Sequence, residues 1–357
     1  MGGKFVLKKF VEIDANDNFF DSLKTDYPEF PIWFQKKSEI GEKAFVFSDG
    51  QGIGAFIYLK KEAEPIKIRN KELPSIQRLK IGTLKLHERI KGIRMGEGAI
   101  GIALWYWQEM KCDEVYITVF DKHKNLIDLI LKFGFICEGF NERGESVYLK
   151  NRKNIDYSNP YKSFPFINSN FVKAGIIPIY DKFHDRLFPY SELKNNKQEI
   201  YEETAGNGIS KIYIGTPFTA MHYNVDEPVL IYRIYTGIGQ KTYKSVVTSF
   251  AVITKIQIIK NNGSVEMSLD DFFKEAGNKS VFTKDELTTM YAKNKNNLVM
   301  LELLYNGFFG KGKNVIHKTL NDKGMFNSYP YSIEYSKEQF TRILEMGAKD
   351  VSNIIIN

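Results

Sequence analysis

The sequence predicts an α+β protein of two domains, and three observations support this prediction. The chain has 357 residues, more than a single hydrophobic core usually organises. Strand-like and helix-like segments alternate over residues 76–150, whereas long strand-like runs mark the later part of the chain. Residues 151–170 contain two prolines among Asn, Ser and Tyr, a composition typical of a connection. We therefore divide the chain into a first domain, a linker and a second domain, at residues 1–152, 153–172 and 173–357.

The alternating part of the first domain contains three predicted strands and two predicted helices. Apolar side chains in both helices recur at helical spacing, and Gly134 suits the end of the second helix. In chain order the elements are a strand Leu79–Leu86, a glycine-rich turn, a helix marked by Ile100, Ala103, Leu104 and Trp107, a strand Val115–Phe120, a helix marked by Leu126, Leu129, Ile130 and Phe133, and a strand Ser146–Lys150.

The second domain is predicted to contain a mostly antiparallel, curved sheet that forms a small barrel with helices. Its helices have explicit start signals at Ser268, Thr283 and Ser336, each followed three residues later by Asp, Glu or Gln. Its strand-like runs are 211–214, 229–235, 246–259 and 298–305.

The glycine-rich turn at residues 91–99 is the strongest candidate for a ligand site. It is basic, it follows a predicted strand, and it opens an apolar helix. Glycines let a ligand approach the main chain closely, and the amide groups and dipole at a helix start attract anions. Arg94 adds positive charge. The turn is therefore predicted to bind a phosphate group.

The same glycines allow two other interpretations. Gly96, Gly98 and Gly101 match the dinucleotide pattern GxGxxG, with Asp121 at the end of the next strand. However, no further βαβ units follow, and Arg78, Lys80 and Lys85 make the preceding strand unlike a buried parallel strand. The glycines could also cap the helix without binding any ligand.

The order strand, glycine turn, helix, strand, helix and strand, with the helix ending Lys132-Phe-Gly-Phe135, resembles the GCN5-related N-acetyltransferase (GNAT) family over residues 1–150. The resemblance implies a mixed sheet with flanking helices and acetyl-CoA as the cofactor. It implies that the strand edge holds the pantetheine arm and that the turn amides hold the pyrophosphate. The implied cofactor-binding residues are Leu84, Lys85 and Leu86 in the strand and Arg94, Met95, Gly96, Glu97, Gly98 and Ala99 in the turn.

The resemblance also implies transfer of an acetyl group to an amine acceptor. His87 and Glu88 are the nearest titratable candidates for the base, while His123 is expected at the surface. Two positions depart from the family pattern. Ile93 stands where Arg or Gln is usual, and Ile130 stands where a tyrosine often protonates the leaving thiolate.

The second domain resembles the PUA-like superfamily, which includes ASCH, EVE and YTH domains, and most of all the PUA-like module fused to GNAT domains in bacteria. The segments that carry this resemblance are 177–180, 184–189, 211–213, 226–233, 246–259 and 281–286, although Asp226-Glu227 replaces the usual Gly-Asp. The resemblance implies binding of RNA or a modified base, with aromatic side chains stacking on bases and basic ones holding phosphates. The candidate residues are His184, Arg186, Lys211, Tyr213, Tyr232 and Arg233, with Phe218 and Tyr235 as further stacking groups.

Composition adds broad limits. A net charge of +7 and a pI near 9.0 mildly favour polyanionic partners. Cys112 and Cys137 lack the spacing of a metal site, and they fit a reduced, cytoplasmic setting. The longest apolar run, 99–107, is too short to span a bilayer. Neither the acceptor nor the oligomeric state is indicated.

Three hypotheses follow from the two resemblances. The first is an acetyl-CoA-dependent N-acetyltransferase whose second domain recruits an RNA or ribonucleoprotein substrate. The second is a non-catalytic nucleic-acid-binding regulator whose first domain binds only acyl-CoA or a protein partner, which the isoleucine at position 130 supports. The third is an acetyltransferase for small molecules or proteins whose second domain only shapes the acceptor cleft.

Overall fold

The computed structural model describes residues 4–69, 71–194, 204–219 and 221–357. The chain divides into two compact units, Met1–Asp156 and Tyr157–Asn357. The expected linker reached further, to residue 172. Its later part instead folds within the second unit, where Asn159 caps a short helix and the strand Ile167–Asn168 pairs in parallel with Ile355–Ile356.

The first unit contains nine strands and four α-helices among its described residues. The strands are β1 Val6–Lys9, β2 Lys43–Asp49, β3 Gly52–Glu62, β4 Ile66–Ile68, β5 Lys71–Leu73, β6 Arg78–Leu86, β7 Glu114–Val119, β8 Ile136–Phe140 and β9 Ser146–Asn151. The helices are α1 Asp21–Asp26, α2 Phe30–Glu39, α3 Met95–Met110 and α4 Lys124–Lys132.

Seven of these strands form one mixed sheet in the order β1-β2-β3-β6-β7-β9-β8. Within this sheet β6 and β7 run parallel, and every other neighbouring pair is antiparallel. The crossover from β6 to β7 consists of the glycine-rich turn and α3. The expectation of a mixed sheet with flanking helices is therefore confirmed. Strands β4 and β5 form a separate hairpin.

Phenylalanine side chains form much of the core between the sheet and the helices α1 and α2. Phe56 and Tyr58 of β3 share one face of the sheet and pack against Phe10 at ring-centroid distances of 5.7 and 5.3 Å. Phe10 also contacts Phe34 of α2 at 4.8 Å. Each such pair contributes about 0.5–1.5 kcal/mol beyond the area that it buries. This aromatic core holds α2 on the sheet, and Leu23 of α1 packs against it.

The second unit contains ten strands and eight α-helices among its described residues. The strands are β10 Ile167–Asn168, β11 Lys173–Tyr180, β12 Ser210–Gly215, β13 Pro228–Ile234, β14 Val246–Asn261, β15 Ser264–Val265, β16 Leu298–Phe308, β17 Val315–Ile316, β18 Tyr335–Ser336 and β19 Ile355–Ile356. The helices are α5 Pro160–Ser163, α6 Asp181–Leu187, α7 Thr204–Asn207, α8 Lys241–Lys244, α9 Leu269–Ala276, α10 Lys284–Lys293, α11 His317–Asp322 and α12 Lys337–Met346.

Eight strands of this unit form one sheet, with the order β12-β16-β14-β13-β11-β18 and with β15 and β17 paired to β14. Strand β14 is 16 residues long, and its ladder with β16 contains three register shifts. Such bulges bend a strand, so the sheet is curved. The predicted barrel is not seen as a closed ring, because the described strands form an open path from β12 to β18.

The three predicted helix starts of the second unit are confirmed. The Ser268 side chain accepts a hydrogen bond from the amide of Asp271 at the start of α9. Thr283 and Ser336 form complete capping boxes at the starts of α10 and α12. Local hydrogen bonding by these side chains fixes where a helix begins, which explains why the sequence alone reveals it.

Candidate functional site

A wedge opens in the first sheet between its two parallel strands. The β6–β7 ladder runs only from the pair Arg78–Glu114 to the pair Ile81–Ile117, although β6 continues to Leu86. A bulge in the β3–β6 ladder falls at Gly82, where β6 has one extra residue and a Cβ atom would lie 3.0 Å from the Tyr58 ring. Since a bulge bends its strand, it accounts for the divergence. The β7-facing edge of β6 is therefore left without a strand partner after Ile81.

A cavity of about 1530 Å³ occupies the wedge and lies entirely within the first unit. Residues of β6, the glycine-rich turn and the start of α4 line one part of it, and residues of the α1–α2 segment and the β8–β9 hairpin line another. Of the predicted cofactor-binding residues, six line the cavity, namely Leu84, Lys85, Leu86, Arg94, Met95 and Gly96. Glu97, Gly98 and Ala99 continue α3 and are not among the lining residues.

The start of α3 presents main-chain amides at the cavity. Arg94 has a left-handed backbone conformation with φ of 65°, and the helix begins at Met95. The amide of Gly98 donates to the carbonyl of Arg94 at 3.2 Å, the helical bond that closes the first turn. The amides of Met95 and Gly96 precede this bond, at positions where a helix supplies no carbonyl acceptor. Together with the positive end of the helix dipole, they suit an anion.

Gly96 lies at a narrow point of the cavity wall. A Cβ atom at this position would be 3.4 Å from Leu86 at the end of β6 and 3.3 Å from Leu129 of α4. The distance to Leu129 is tighter than most Cβ contacts and the distance to Leu86 is at the lower limit of ordinary van der Waals contact, so a larger side chain here would project between the two leucines. Because both leucines line the cavity, glycine keeps this passage open.

Arg94 contributes less free charge than the sequence predicts. Its guanidinium group forms an ion pair of 2.9 Å with Glu97, and both side chains are largely buried. The pair is one helical turn apart on the surface of α3. The positive charge of Arg94 is therefore shared with an internal carboxylate.

The two predicted base candidates, His87 and Glu88, both line the cavity directly after β6. The His87 Nδ1 atom accepts a hydrogen bond of 3.1 Å from the amide of Arg89, so the neutral ring carries its proton on Nε2. That nitrogen is then a donor and not a proton acceptor. Glu88 is exposed and forms an ion pair with Lys91. Of the two, Glu88 has carboxylate oxygens that can accept a proton.

The titratable cavity residues that were not among the predicted site residues include His123 and Glu145. His123 is exposed, as expected, and it also lines the cavity at the start of α4, where partial burial and then Lys122 lower the pKa of its imidazole. Glu145 lines the cavity at the start of β9 and is only 4% exposed. His123 lies in the loop that follows the parallel strand β7, a position that favours function in such sheets. Glu145 gives no comparable signal in the sequence.

Glu145 is held by hydrogen bonds from two other cavity residues. The Tyr27 hydroxyl donates to one carboxylate oxygen at 2.7 Å, and the Asn141 side-chain amide donates to the other at 2.8 Å. Burial, and then the carboxylate itself, raise the pKa of Tyr27 far above its usual range, so this hydroxyl stays a donor. Tyr27 and Glu145 are 118 residues apart. Only the tertiary structure reveals that they meet.

Position 130 has no acidic group. Ile130 of α4 is completely buried, in agreement with an apolar packing role. A proton donor for a leaving group therefore has to come from elsewhere in the cavity or from water.

In the second unit, the predicted nucleic-acid residues are mostly buried. His184 is inaccessible to solvent and contacts Asp185 and Thr248, each at 2.8 Å. Arg233, 3% exposed, donates to both carboxylate oxygens of Asp185 at 2.7 and 2.8 Å. Burial opposes ionisation of Asp185, but Arg233 and His184 hold its pKa well below the usual range. These residues form an internal network that does not present its charges to a ligand.

The remaining candidates are also engaged inside the second unit. Lys211 donates to the carbonyls of the α7 residues Ala205 and Gly206, and Arg186 donates to the carbonyl of Val281. The Tyr213 hydroxyl group contacts that of Tyr331, and the Tyr232 hydroxyl group contacts His317. The interpretation of these strand positions as surface contacts does not agree with their burial, because both faces of β12 and β13 are covered. Phe218, in contrast, is 82% exposed.

Two further expectations concern metals and membranes. Across the ranges that the structure describes, no group of His, Cys, Asp and Glu side chains is arranged to hold a metal ion. Within the same ranges, no helix combines the length and the apolar character needed to cross a bilayer.

Comparisons with known proteins give matches only among solved structures. No protein-family model matches the chain, and no curated protein matches it. A GNAT-family acetyltransferase from Listeria monocytogenes is 15% identical and covers 42% of this chain and 98% of its own, with a TM-score of 0.30. The structure of NAA60 from Arabidopsis thaliana with acetyl-CoA is 18% identical, covers 42% and 99%, and has a TM-score of 0.30. The N-acetyltransferase PseH of Campylobacter jejuni is 14% identical, covers 42% and 99%, and has a TM-score of 0.28.

Proposed function

We propose that the first unit is a GNAT-type N-acetyltransferase that uses acetyl-CoA and acts on an amine acceptor. The observation that carries this proposal is the wedge between β6 and β7 beside the start of α3. The wedge leaves a strand edge without a partner, and the helix start supplies amides for an anion. A cofactor with an amide-containing arm and a pyrophosphate group needs both features.

Two neighbouring segments of the cavity lining fit the two parts of this cofactor. The main chain of Thr83–Leu86 would pair with the amide groups of the pantetheine arm, as a neighbouring strand would. The amides of Met95 and Gly96 would hold the pyrophosphate, and the passage at Gly96 lets the arm enter the wedge. When bound, acetyl-CoA supplies the thioester whose acetyl group is transferred. Such a site accelerates the reaction largely by holding the two reactants in place.

Glu88 is the residue that we propose as the general base. Its carboxylate lines the cavity directly after β6, and its ion pair with Lys91 is exposed, so exchanging this partner costs little. His87, whose Nδ1 atom is engaged by the amide of Arg89, is proposed to hold this turn in place beside the reacting groups.

Binding of acetyl-CoA by the full-length protein tests the proposal. We expect acetyl-CoA to raise the melting temperature of the wild-type protein. Gly96→Val should abolish this shift, because its side chain fills the passage between Leu86 and Leu129. Gly50→Val is the matched control, since Gly50 lies in an exposed turn and a Cβ atom there would have no neighbouring atom within 4 Å. An unchanged shift in Gly96→Val, or none in the wild type, would contradict the proposal.

Release of CoA in the presence of amines separates catalysis from binding. The buried Ile130, in place of a titratable group, favours the second candidate function, an acyl-CoA-binding regulator without turnover. A protein that is stabilised by acetyl-CoA but releases no CoA with small amines, peptides or RNA would support that alternative. Measurable transfer to any of these acceptors would exclude it.

For the second unit we propose binding of RNA or a modified base, in line with its PUA-like resemblance. The net charge of +7 of the whole chain and the exposed Phe218 of this unit support this proposal. The Phe218 ring lies 5.9 Å from that of Tyr329, so two aromatic side chains are available for stacking on a base. The test is binding of total RNA by the full-length protein at several salt concentrations, with Phe218→Ala for comparison. Binding that is absent, or that does not weaken with salt, would rule out this role.

A further inference from the structure

Glu145 is a buried carboxylate without a cationic partner. It is 4% exposed, and its two hydrogen bonds come from neutral groups, Tyr27 and Asn141. Within the part of the chain that the structure describes, no lysine, arginine or histidine forms an ion pair with it. Buried charges in proteins are normally paired, because an isolated one loses its hydration without compensation. Glu145 therefore lacks a counter-ion that a ligand could supply.

Glu145 is placed so that a ligand in the cavity can reach its carboxylate. Its neighbour Ser146 pairs with Val119 at the end of β7, the end at which β6 and β7 diverge. Glu145 thus sits beside the open end of the wedge and lines its cavity. A carboxylate accepts about four hydrogen bonds, and two of these are made within the protein. Each oxygen has acceptor capacity left for a donor in the cavity.

Two basic side chains of the same wall, Arg143 and Lys122, already form ion pairs. Arg143 contacts Glu29 at 2.7 Å, and Lys122 contacts Asp26 at 2.7 Å. Lys85 extends toward α1, where its ammonium group contacts the Ser22 hydroxyl and lies over the Phe19 ring. The cavity lining also contains several aromatic side chains. The Tyr27 and Phe120 rings are 6.0 Å apart, and Phe30 and Trp33 line the same cavity.

We propose that Glu145 recognises the acceptor, and that the acceptor is a primary amine bound as its ammonium ion and carried on an apolar stem. The inference rests on the proposed transfer function and names the class of substrate for it. The ammonium group donates three hydrogen bonds and supplies the missing positive charge, and it passes one proton to the proposed base Glu88 before its nitrogen can react. The aromatic wall accommodates the stem and attracts the cation through the ring faces. Tyr27 is a positioning residue that holds the carboxylate.

A matched series of ligands tests the charge selection directly. Hexylamine, hexanol and hexanoate share one stem and differ in head-group charge. Their binding to the full-length protein is measured by ligand-observed NMR at neutral pH, with and without acetyl-CoA. We expect hexylamine to bind and the other two to bind at least about 10-fold more weakly, the loss typical of a missing charged hydrogen bond. Equal binding of hexanol or hexanoate would overturn the proposal.

Two Glu→Gln variants test whether Glu145 is the residue that binds hexylamine. Glu145→Gln should weaken hexylamine binding and acetyl transfer to hexylamine by about 10- to 100-fold. Glu142→Gln removes the same charge from an exposed position of the same hairpin outside the cavity lining, and it should change both by less than about threefold. Equal effects of the two variants would overturn the proposal.

The readouts also separate this inference from the proposed function. Stabilisation by acetyl-CoA reports on the cofactor site and should be the same in wild type and Glu145→Gln. If acetyl-CoA does not stabilise the wild type, the transfer function fails, while the hexylamine series without acetyl-CoA still tests Glu145. If acetyl-CoA binds but hexylamine shows no preference over hexanol, the substrate inference alone fails. The wild-type series does not depend on the folding of any variant.

Discussion

The Arg78 guanidinium donates a hydrogen bond of 2.6 Å to the Glu114 carboxylate at the first pair of the parallel β6–β7 ladder. The Arg78 side chain is 1% exposed, and it also donates to the carbonyl of Pro74, while Asn151 donates to Glu114. The pair closes one end of the wedge, whereas the bulge at Gly82 opens the other. The four paired residues of β6, from Arg78 to Ile81, thus separate the anchored end of the wedge from the candidate site.

Loss of this anchor is expected to destabilise the first unit. Arg78→Met leaves Glu114 buried without its cation, which should cost about 3–5 kcal/mol of unfolding free energy. Urea unfolding followed by tryptophan fluorescence measures this, because all three tryptophans lie in the first unit. The double variant Arg78→Met/Glu114→Leu should recover much of the loss. No recovery would show that Arg78 acts through packing and not through its charge.

Removal of the Tyr27 hydroxyl group should affect the acceptor but not the cofactor. Tyr27→Phe keeps the ring that packs against Phe120 and removes one of the two donors that hold Glu145. We expect KM for hexylamine to rise about 3- to 10-fold, which corresponds to one lost hydrogen bond. Stabilisation by acetyl-CoA should stay unchanged. A loss of acetyl-CoA binding would place Tyr27 in the cofactor site instead.

The second unit should lose stability in mild acid because of His184. Burial lowers the pKa of His184 below its usual value near 6.5, so the folded unit holds the ring neutral while the unfolded chain protonates it. The associated stability is therefore complete above that value and is lost as the pH falls toward the folded pKa. Melting temperatures between pH 7.5 and 5.5 should fall more steeply for the wild type than for His184→Gln. If the melting temperatures of the two proteins fall equally with pH, His184 is not the cause of the loss of stability in acid.

Arg233 is expected to act in folding and not in RNA binding. Arg233→Met leaves the buried Asp185 without its guanidinium partner, and breaking such a pair costs about 3–5 kcal/mol. The melting transition of the second unit should therefore drop. At a temperature where the variant is folded, its RNA affinity should equal that of the wild type. A lower affinity with an unchanged melting temperature would restore Arg233 as a contact residue.

Much of the architecture was predictable because its signals are local. Helical spacing, the capping residues Ser268, Thr283 and Ser336, and the glycine turn before α3 depend on residues close in sequence. The same is true of the strand and helix order that carries the GNAT resemblance. The end of the linker was less predictable. The strand Ile167–Asn168 pairs with the distant segment Ile355–Ile356, and this pairing makes the later part of the expected linker belong to the second unit.

The site itself was predictable only on the side where one continuous segment forms it. Leu84 through Gly96 combine a strand end and a helix start, so the sequence by itself determined the turn and its suitability for an anion. Tertiary structure decided the rest. Tyr27 meets Glu145 across 118 residues, the wedge depends on a bulge against β3, and His184 and Arg233 are buried around Asp185 inside the second unit. Burial and long-range pairing are properties of the packed chain, and they decide whether a charged side chain faces a ligand or another residue.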